Sequence, residues 1–134
     1  MRPTVVSATL RRVALRCLIV DDNEAFLASA SRLLSAQGLE VVGQASSGSE
    51  ALRLSDQLQP DIALIDVQLG GEDGLGLTRE LAAKSHATAV ILISSHSKDE
   101  LGELVADSPA VGFLPKSELG AVEIGRLLDQ RASR

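Results

Sequence analysis

Five short runs of mainly aliphatic residues recur along the chain, and they limit the folds that it can adopt more than any other feature. The runs are CLIVD at 17–21, LEVVGQA at 39–45, DIALID at 61–66, AVILIS at 89–94 and VGFLP at 111–115. Their lengths are those of β-strands, and three of them are almost continuously aliphatic, which is typical of parallel strands covered on both faces. We therefore predict five strands of a parallel sheet.

Longer amphipathic segments separate these runs and predict helices. The first carries an apolar stripe at helical spacing and ends at Gly38, a favourable C-terminal cap. Ser47 with Glu50, and Ser97 with Glu100, have the spacing of a capping box and predict the starts of the second and fourth helices. The third and fifth helices are expected at about 74–84 and 118–131.

The succession of five strand–helix units predicts the fold class. Without an internal repeat, a cysteine framework or a linker, it indicates one α/β domain with an open, doubly wound, five-stranded parallel sheet. We expect the strand order 2-1-3-4-5, the flavodoxin-like (βα)5 arrangement, in which strands one and three are neighbours. The domain is assigned to residues 16–134, and residues 1–15 are interpreted as an N-terminal extension.

Composition argues against several classes of function. Aromatic residues make up 1% of the chain and the net charge is −5, so neither base stacking nor binding to phosphate backbones is expected. Cys17 is the only cysteine, which excludes an internal disulfide, fits a reducing cytoplasm and suits a core position. We expect no signal peptide, because polar residues interrupt the apolar start of the chain, and no membrane-spanning segment.

Polar side chains mark the carboxyl ends of the predicted strands. Strand one leads into Asp21 and Asp22, and strand three ends in Asp66. Strand four ends in Ser94, and Lys116 directly follows strand five. Ligands of open parallel sheets collect at this edge. Three carboxylates placed together repel one another and need raised pKa values or a cation. Because Mg²⁺ typically takes carboxylates, waters and a phosphate oxygen, the cluster predicts both Mg²⁺ and a phosphoryl group.

An ionised aspartate can act as a nucleophile without losing a proton, which makes Asp66 the candidate phosphoryl acceptor. Lys116 supplies a compact positive charge and Ser94 a hydroxyl donor, and phosphoryl transfer depends mainly on such positioning and charge stabilisation. Taken singly, each residue has a simpler interpretation. The adjacent aspartates could cap the first helix, Ser94 could merely end a strand, and Phe113 could fill the core.

Four motifs occur in chain order at successive strand ends and together resemble one family. They are VDDN at 20–23, IDVQLGGEDG at 65–74, LISS at 92–95 and GFLPK at 112–116. They resemble the receiver domain of two-component response regulators over nearly the whole chain, from about Cys17 onwards. The resemblance implies that Asp66 accepts a phosphoryl group from the phosphohistidine of a sensor histidine kinase or a histidine phosphotransfer protein.

The resemblance also implies a set of metal ligands. Asp22 and Asp66 would bind Mg²⁺ directly, and Asp21 would assist through a water molecule. The backbone carbonyl of Gln68 would complete the ligands that the protein supplies.

Further roles follow from the same resemblance. Ser94 and Lys116 would contact the phosphoryl group, and Phe113 would occupy the aromatic switch position. This switch would report phosphorylation to the surface formed by the fourth helix, the fifth strand and the fifth helix. Gln68 and His96 would face the attacking water and so set the lifetime of the phosphorylated state.

The chain departs from the family pattern at three places. Gly70 stands where proline is frequent, so the loop after Asp66 is expected to be more mobile than usual. Ser95 replaces the customary alanine and adds a hydroxyl beside the phosphoryl pocket. Ser117, rather than the common proline, follows the lysine.

The implied function is a phosphorylation switch rather than a turnover enzyme. It would act on a downstream partner or on transcription, or by self-association, either as a stand-alone receiver or as part of a DNA-binding regulator, without itself binding nucleic acid or membrane. A receiver that works without phosphorylation is the main alternative. A haloacid-dehalogenase-like phosphatase would need an aspartate where Gln68 stands, and a flavin-binding module would be yellow.

Overall fold

The computed structural model describes residues 14–84, 87–95, 102–103 and 105–132, with side chains up to residue 130. The predicted start of the fourth helix at Ser97 with Glu100, His96, and nearly all of the predicted extension lie outside these residues. Within the described part of the chain, no helix combines the length and the apolar character needed to cross a membrane.

A five-stranded parallel sheet forms the centre of the fold. Its strands are β1 (Arg16–Val20), β2 (Glu40–Ala45), β3 (Ile62–Asp66), β4 (Ala89–Ser94) and β5 (Gly112–Pro115). They pair in the order β2-β1-β3-β4-β5, with all four pairings parallel. The predicted flavodoxin-like order is therefore confirmed, and each strand bound lies within one residue of its predicted aliphatic run.

Helices cover both faces of the sheet. They are α1 (Glu24–Ala36), α2 (Gly48–Leu58), α3 (Gly74–Lys84) and a C-terminal helix (Ala121–Ala132), with further helical residues at 102–103 and 105–106. Alternate residues of β1 separate two core clusters. Cys17 and Ile19 pack with α1 and the C-terminal helix, whereas Leu18 and Val20 pack with α2 and α3. This arrangement is the predicted doubly wound one.

Side-chain caps start the first two helices; the second cap is the predicted one, whereas the first is Asn23 rather than the two aspartates before it. Asn23 accepts a hydrogen bond from the Phe26 backbone N–H at 3.1 Å and begins α1. The Ser47 side chain accepts one from the Glu50 N–H at 3.2 Å and begins α2. The Glu50 carboxylate accepts the backbone N–H of Ser46 at 2.8 Å, so the reciprocal bond of the capping box closes one residue earlier than expected.

Gly38 ends α1 as predicted. Its φ of 98° is in the left-handed region, which glycine adopts without steric cost. The Leu39 N–H donates to the Leu34 carbonyl at 3.0 Å, and the Gly38 N–H donates to the Ser35 carbonyl at 3.1 Å. These two bonds define a Schellman motif, which satisfies carbonyls that the helix would leave free.

The C-terminal helix begins three residues later than predicted. Lys116–Glu118 form a separate 3-10 turn, and Leu119 is extended so that its side chain reaches the core. The helix starts at Ala121, whose N–H donates to Oε1 of Gln37 at 2.7 Å. The extended, buried Leu119 separates the 3-10 turn from the helix, which accounts for the later start.

Cys17 is a free cysteine with no exposed surface, in agreement with a core position. Burial raises the pKa of its thiol to about 12, because the charged thiolate would lose its hydration inside β1. The thiol therefore stays protonated at neutral pH.

Candidate functional site

Three aspartates meet at the carboxyl edge of the sheet. Asp21 directly follows β1 and is fully buried, Asp22 is exposed, and Asp66 ends β3 with 7% of its surface exposed. Because β1 and β3 are neighbours, their ends place one oxygen of each side chain within 4.8 Å of the other two. The structure thus brings together all three carboxylates that the sequence singled out.

Lys116 supplies a positive charge between two of these carboxylates. Its Nζ lies 2.6 Å from Oδ2 of Asp21 and 3.0 Å from Oδ2 of Asp66. The lysine follows β5, and β4 separates β5 from β3, so its long side chain extends past the end of β4. The ammonium is thereby held between the carboxylates of Asp21 and Asp66.

Burial and neighbouring charges shift the proton affinities of this cluster. Burial raises the pKa of Asp66, and the negative charge of Asp21 acts in the same direction. A hydrogen bond from the Gln68 backbone N–H at 2.9 Å and the Lys116 ammonium oppose this shift without cancelling it. Burial lowers the pKa of Lys116, but its two carboxylate partners outweigh that effect and raise it. The lysine therefore stays charged, whereas the ionised form of Asp66 is disfavoured.

The residues present fit a hard divalent cation. Three carboxylates and one ammonium leave an excess of negative charge, and oxygen atoms are the ligands that Mg²⁺ prefers. Among the described residues, Oδ2 of Asp21 is buried and accepts no hydrogen bond of acceptable geometry, although the ammonium is its charge partner.

The loop after Asp66 forms a short hairpin. Gln68–Leu69 pair antiparallel with Glu72–Asp73, and Gly70 begins the two-residue turn with a φ of 58°. Proline is held near −65° and cannot adopt this conformation, which explains the glycine at this position. A Cβ on Gly70 would lie 3.3 Å from Oδ2 of Asp22, so the turn lies close to this carboxylate. The expected mobility of the loop stays a prediction.

Gly74 permits a close backbone approach that the sequence reasoning missed. It is the first residue of α3, and a Cβ there would lie 2.0 Å from the backbone oxygen of Asp66. Its N–H donates to the carbonyl of Val67 at 3.0 Å. A glycine at the start of a helix, eight residues after a strand-end aspartate, is the local signal that could have indicated this contact.

Glu72 connects the hairpin to the second helix. Its Oε1 accepts a hydrogen bond from the Gly48 backbone N–H at 2.7 Å, at the first residue of α2. A carboxylate is favourable there because the N-terminus of a helix carries partial positive charge. The hairpin is thereby anchored beside the site by a group outside the acidic cluster.

The other candidate residues occupy different surroundings. Ser94 is the last residue of β4 and is 2% exposed. It pairs with Pro115 of β5, the residue that precedes Lys116 in the sequence. Ser95 is exposed. Phe113 is buried in the core cluster on the side of α2 and α3. His96 lies outside the described residues.

Phe26 also belongs to the site, through a contact that the sequence analysis did not predict. The centroid of its ring lies 4.4 Å from Nζ of Lys116. No local pattern predicts this contact, because it joins the first turn of α1 to the residue that follows β5.

The chain resembles known proteins in both sequence and structure. The sequence of residues 17–124 matches the family model of the response regulator receiver domain. The transcriptional regulatory protein LiaR of Bacillus subtilis is 32% identical over 108 residues, which are 80% of this chain and 51% of LiaR. The response regulator GacA of Pseudomonas viridiflava is 34% identical over 103 residues, which are 76% of this chain and 48% of GacA. The chain thus spans about half the length of these curated relatives.

Solved structures lead to the same family. A signal receiver domain from Mycobacterium tuberculosis has a TM-score of 0.78 and 30% identity, covering 92% of this chain and 100% of the other. A two-component response regulator of the LuxR family from Aurantimonas has a TM-score of 0.78 and 26% identity, covering 91% and 88%. The fold, the cluster of three aspartates and the family match all agree. The chain belongs to the response regulator receiver domain family.

Proposed function

We propose that this chain is a phosphoacceptor switch of a two-component phosphorelay, with Asp66 as the acceptor. The observation that carries the proposal is the acidic cluster with Lys116 between Asp21 and Asp66. Asp22, Asp66 and the backbone carbonyl of Gln68 would hold Mg²⁺, and Asp21 would assist through water. Bound Mg²⁺ would neutralise the charge that accumulates during phosphoryl transfer.

The chain's own groups suit the transfer step. A carboxylate oxygen of Asp66 attacks the phosphorus of a phosphohistidine; the P–N bond breaks and its electron pair returns to the imidazole. The product is an acyl phosphate on Asp66. Lys116 neutralises a phosphoryl oxygen, and the Ser94 hydroxyl donates a hydrogen bond to another. Gln68 and His96 would then influence how fast water attacks the acyl phosphate.

Signalling would proceed from the phosphoryl group to the surface around β5. Movement of Ser94 towards the phosphoryl group would change the packing of Phe113, the proposed aromatic switch. A groove of about 400 Å³ lies on this surface, between the helical residues before β5 and the C-terminal helix. Val105, Phe113 and Leu127 are among its lining residues, so a change at the aromatic ring would alter the shape that a partner meets.

The proposed partners are proteins in the cytoplasm. A sensor histidine kinase or histidine phosphotransfer protein would donate the phosphoryl group, and a downstream protein or a second copy of the chain would bind the surface around β5. We expect this chain to bind neither nucleic acid nor membrane directly. The chain would act as a switch rather than a turnover enzyme. LiaR is a transcriptional regulatory protein, which supports transcription as one process that such a switch controls.

Intact-mass spectrometry tests the proposal. The wild type and Asp66→Asn are incubated with acetyl phosphate, with and without Mg²⁺, and Asp56→Asn serves as a matched control because Asp56 is exposed on α2. We expect one Mg²⁺-dependent phosphoryl adduct on the wild type and on the control variant. The adduct should be absent from Asp66→Asn.

Beryllofluoride binding covers the case of an adduct that hydrolyses before detection. If the wild type neither forms an adduct nor binds beryllofluoride with Mg²⁺, the chain is a receiver that works through protein contacts without phosphorylation. If an adduct forms equally on Asp66→Asn, the assignment of the acceptor is wrong.

A further inference from the structure

An aromatic ring supports the lysine of the site. Phe26 is partly buried in the first turn of α1, and its ring centroid lies 4.4 Å from Nζ of Lys116. The face of an aromatic ring carries partial negative charge and attracts a cation within about 6 Å. The ammonium therefore has three attractive neighbours: the ring, Asp21 and Asp66.

A closed series of contacts fixes the ring relative to the carboxylates. Oδ1 of Asp21 accepts the Asn23 backbone N–H at 2.9 Å, and Oδ1 of Asn23 accepts the Phe26 backbone N–H at 3.1 Å. The ring then contacts Lys116, whose Nζ returns to Oδ2 of Asp21 at 2.6 Å. The interactions that cap α1 therefore also place the ring against the lysine.

We propose that Phe26 is a positioning residue for Lys116, holding the ammonium where it meets the phosphoryl group on Asp66. This inference rests on the proposed function. A lysine side chain has many rotamers, and ordering it costs conformational entropy. The ring restricts those rotamers and, unlike an acidic side chain, adds no further net negative charge to the three carboxylates. The ring therefore orients the ammonium without adding another carboxylate that would compete with a phosphoryl oxygen for it.

Substitutions at Phe26 separate this role from simple core filling. Phe26→Leu retains an apolar side chain but removes the ring face, whereas Phe26→Tyr retains the ring. We expect Phe26→Leu to lower the rate constant of Mg²⁺-dependent phosphorylation by acetyl phosphate by about three- to tenfold, and Phe26→Tyr to stay within about twofold of wild type. Leu33→Ala is the control, because Leu33 is an exposed apolar residue on the same helix.

The outcomes distinguish this inference from the function on which it rests. A wild type without an Asp66-dependent adduct and without beryllofluoride binding would overturn the proposed function. A wild-type adduct that Phe26→Leu forms equally fast would overturn only the positioning role. An equal loss in Phe26→Leu and Phe26→Tyr would also overturn it, since the ring would then not be the determining feature.

A spectroscopic measurement keeps the inference testable if Phe26→Leu does not fold. The chain contains two phenylalanines, so labelling with 4-fluorophenylalanine gives two ¹⁹F signals, which Phe113→Leu assigns. We expect Lys116→Met to shift the Phe26 signal, because the charge on the ring face is removed. Addition of beryllofluoride and Mg²⁺ to the wild type should shift it as well. A Phe26 signal that responds to neither change would overturn the positioning role.

Discussion

The middle of β3 and its carboxyl end are both buried, but their surroundings differ. Residues 62–65 have no exposed surface and pack into the apolar clusters on the two faces of the sheet. Asp66, the next residue, lies instead among two further carboxylates and an ammonium. Apolar burial stabilises the first region by roughly 25 cal/mol per Å². In the second region, burial raises the pKa of Asp66, and the negative charge of Asp21 adds to this shift.

This difference indicates a division of labour within one strand. The apolar residues supply the stability that allows the strand end to keep an unfavourable charge arrangement. Functional sites commonly sacrifice stability in this way, because the groups are arranged for a ligand rather than for one another. Substitutions in the two regions should therefore change the free energy of unfolding in opposite directions.

Leu64→Ala, in the middle of the strand, should give the largest effect. Leu64 is fully buried, and truncation leaves a cavity as well as removing apolar contact. We expect the free energy of unfolding to fall by about 2–5 kcal/mol, measured by urea denaturation. Exposed Leu33→Ala should cost far less. A small loss for Leu64→Ala would show that the interior of the strand does not supply the stability assigned to it.

Gly74→Ala probes the boundary between the two regions and should rank second. The added Cβ would lie 2.0 Å from the Asp66 backbone oxygen, so the start of α3 must shift away from the site. We expect a loss of about 1–3 kcal/mol and weaker Mg²⁺ binding, measured by thermal unfolding with and without Mg²⁺.

Gly76→Ala, on the same helix, is the matched control for Gly74→Ala. Its nearest contact would be an ordinary 3.5 Å, and alanine is the better helix former. This variant should be unchanged or more stable by up to about 1 kcal/mol. If the two variants behave alike, helix propensity rather than the close approach governs Gly74.

Asp66→Asn should act in the opposite direction from Leu64→Ala. The folded-state pKa of Asp66 is raised, so its ionised form destabilises the fold at neutral pH relative to its protonated form. The neutral amide avoids this penalty, and we expect a gain of about 1 kcal/mol at pH 7 without Mg²⁺. Thermal unfolding as a function of pH measures it.

The pH dependence of this gain in the free energy of unfolding provides a second test of whether Asp66→Asn is stabilising. The penalty in the wild type is absent below the ordinary pKa of an aspartate and develops as the pH rises through the raised folded-state pKa. The advantage of Asp66→Asn should therefore disappear in acid. Mg²⁺ should stabilise the wild type more than the variant. A variant less stable than wild type at pH 7 would contradict this account.

Glu72→Gln should give the smallest change in the free energy of unfolding. It sharpens the comparison, because the Glu72 charge lies near the same end of the sheet but stabilises the fold. The carboxylate accepts the Gly48 N–H at the N-terminus of α2, and the amide would keep the acceptor but lose the charge. We expect a loss of about 0.5 kcal/mol that diminishes at high salt. Glu80→Gln, at an exposed glutamate of α3, is the control. A loss independent of salt would argue against a charge effect.

Much of the fold could be predicted because it depends on local patterns. Runs of mainly aliphatic residues placed all five strands within one residue, and α3 begins and ends where the sequence indicated. The convergence of the three aspartates followed from strand order alone, since the ends of neighbouring parallel strands must meet. These features follow from the spacing of apolar residues along the sequence and from the order of the strands in the sheet.

The features that escaped prediction depend on contacts between distant segments. The position of the Phe26 ring against Lys116 depends on how α1 and β5 pack, and the approach of Gly74 to Asp66 depends on the path of the hairpin. The late start of the C-terminal helix follows from the burial of Leu119. The residue types are compatible with each of these contacts, but they do not reveal which distant segments pack against one another.

The buried thiol of Cys17 makes the protein convenient for site-specific labelling. With a pKa of about 12, only on the order of one thiol in 10⁵ is ionised at pH 7, and the side chain has no exposed surface. Maleimide dyes should therefore react with a cysteine introduced on the surface and spare the native one. Changes at the C-terminal helix can then be followed with a single environment-sensitive dye attached there, without a cysteine-free background.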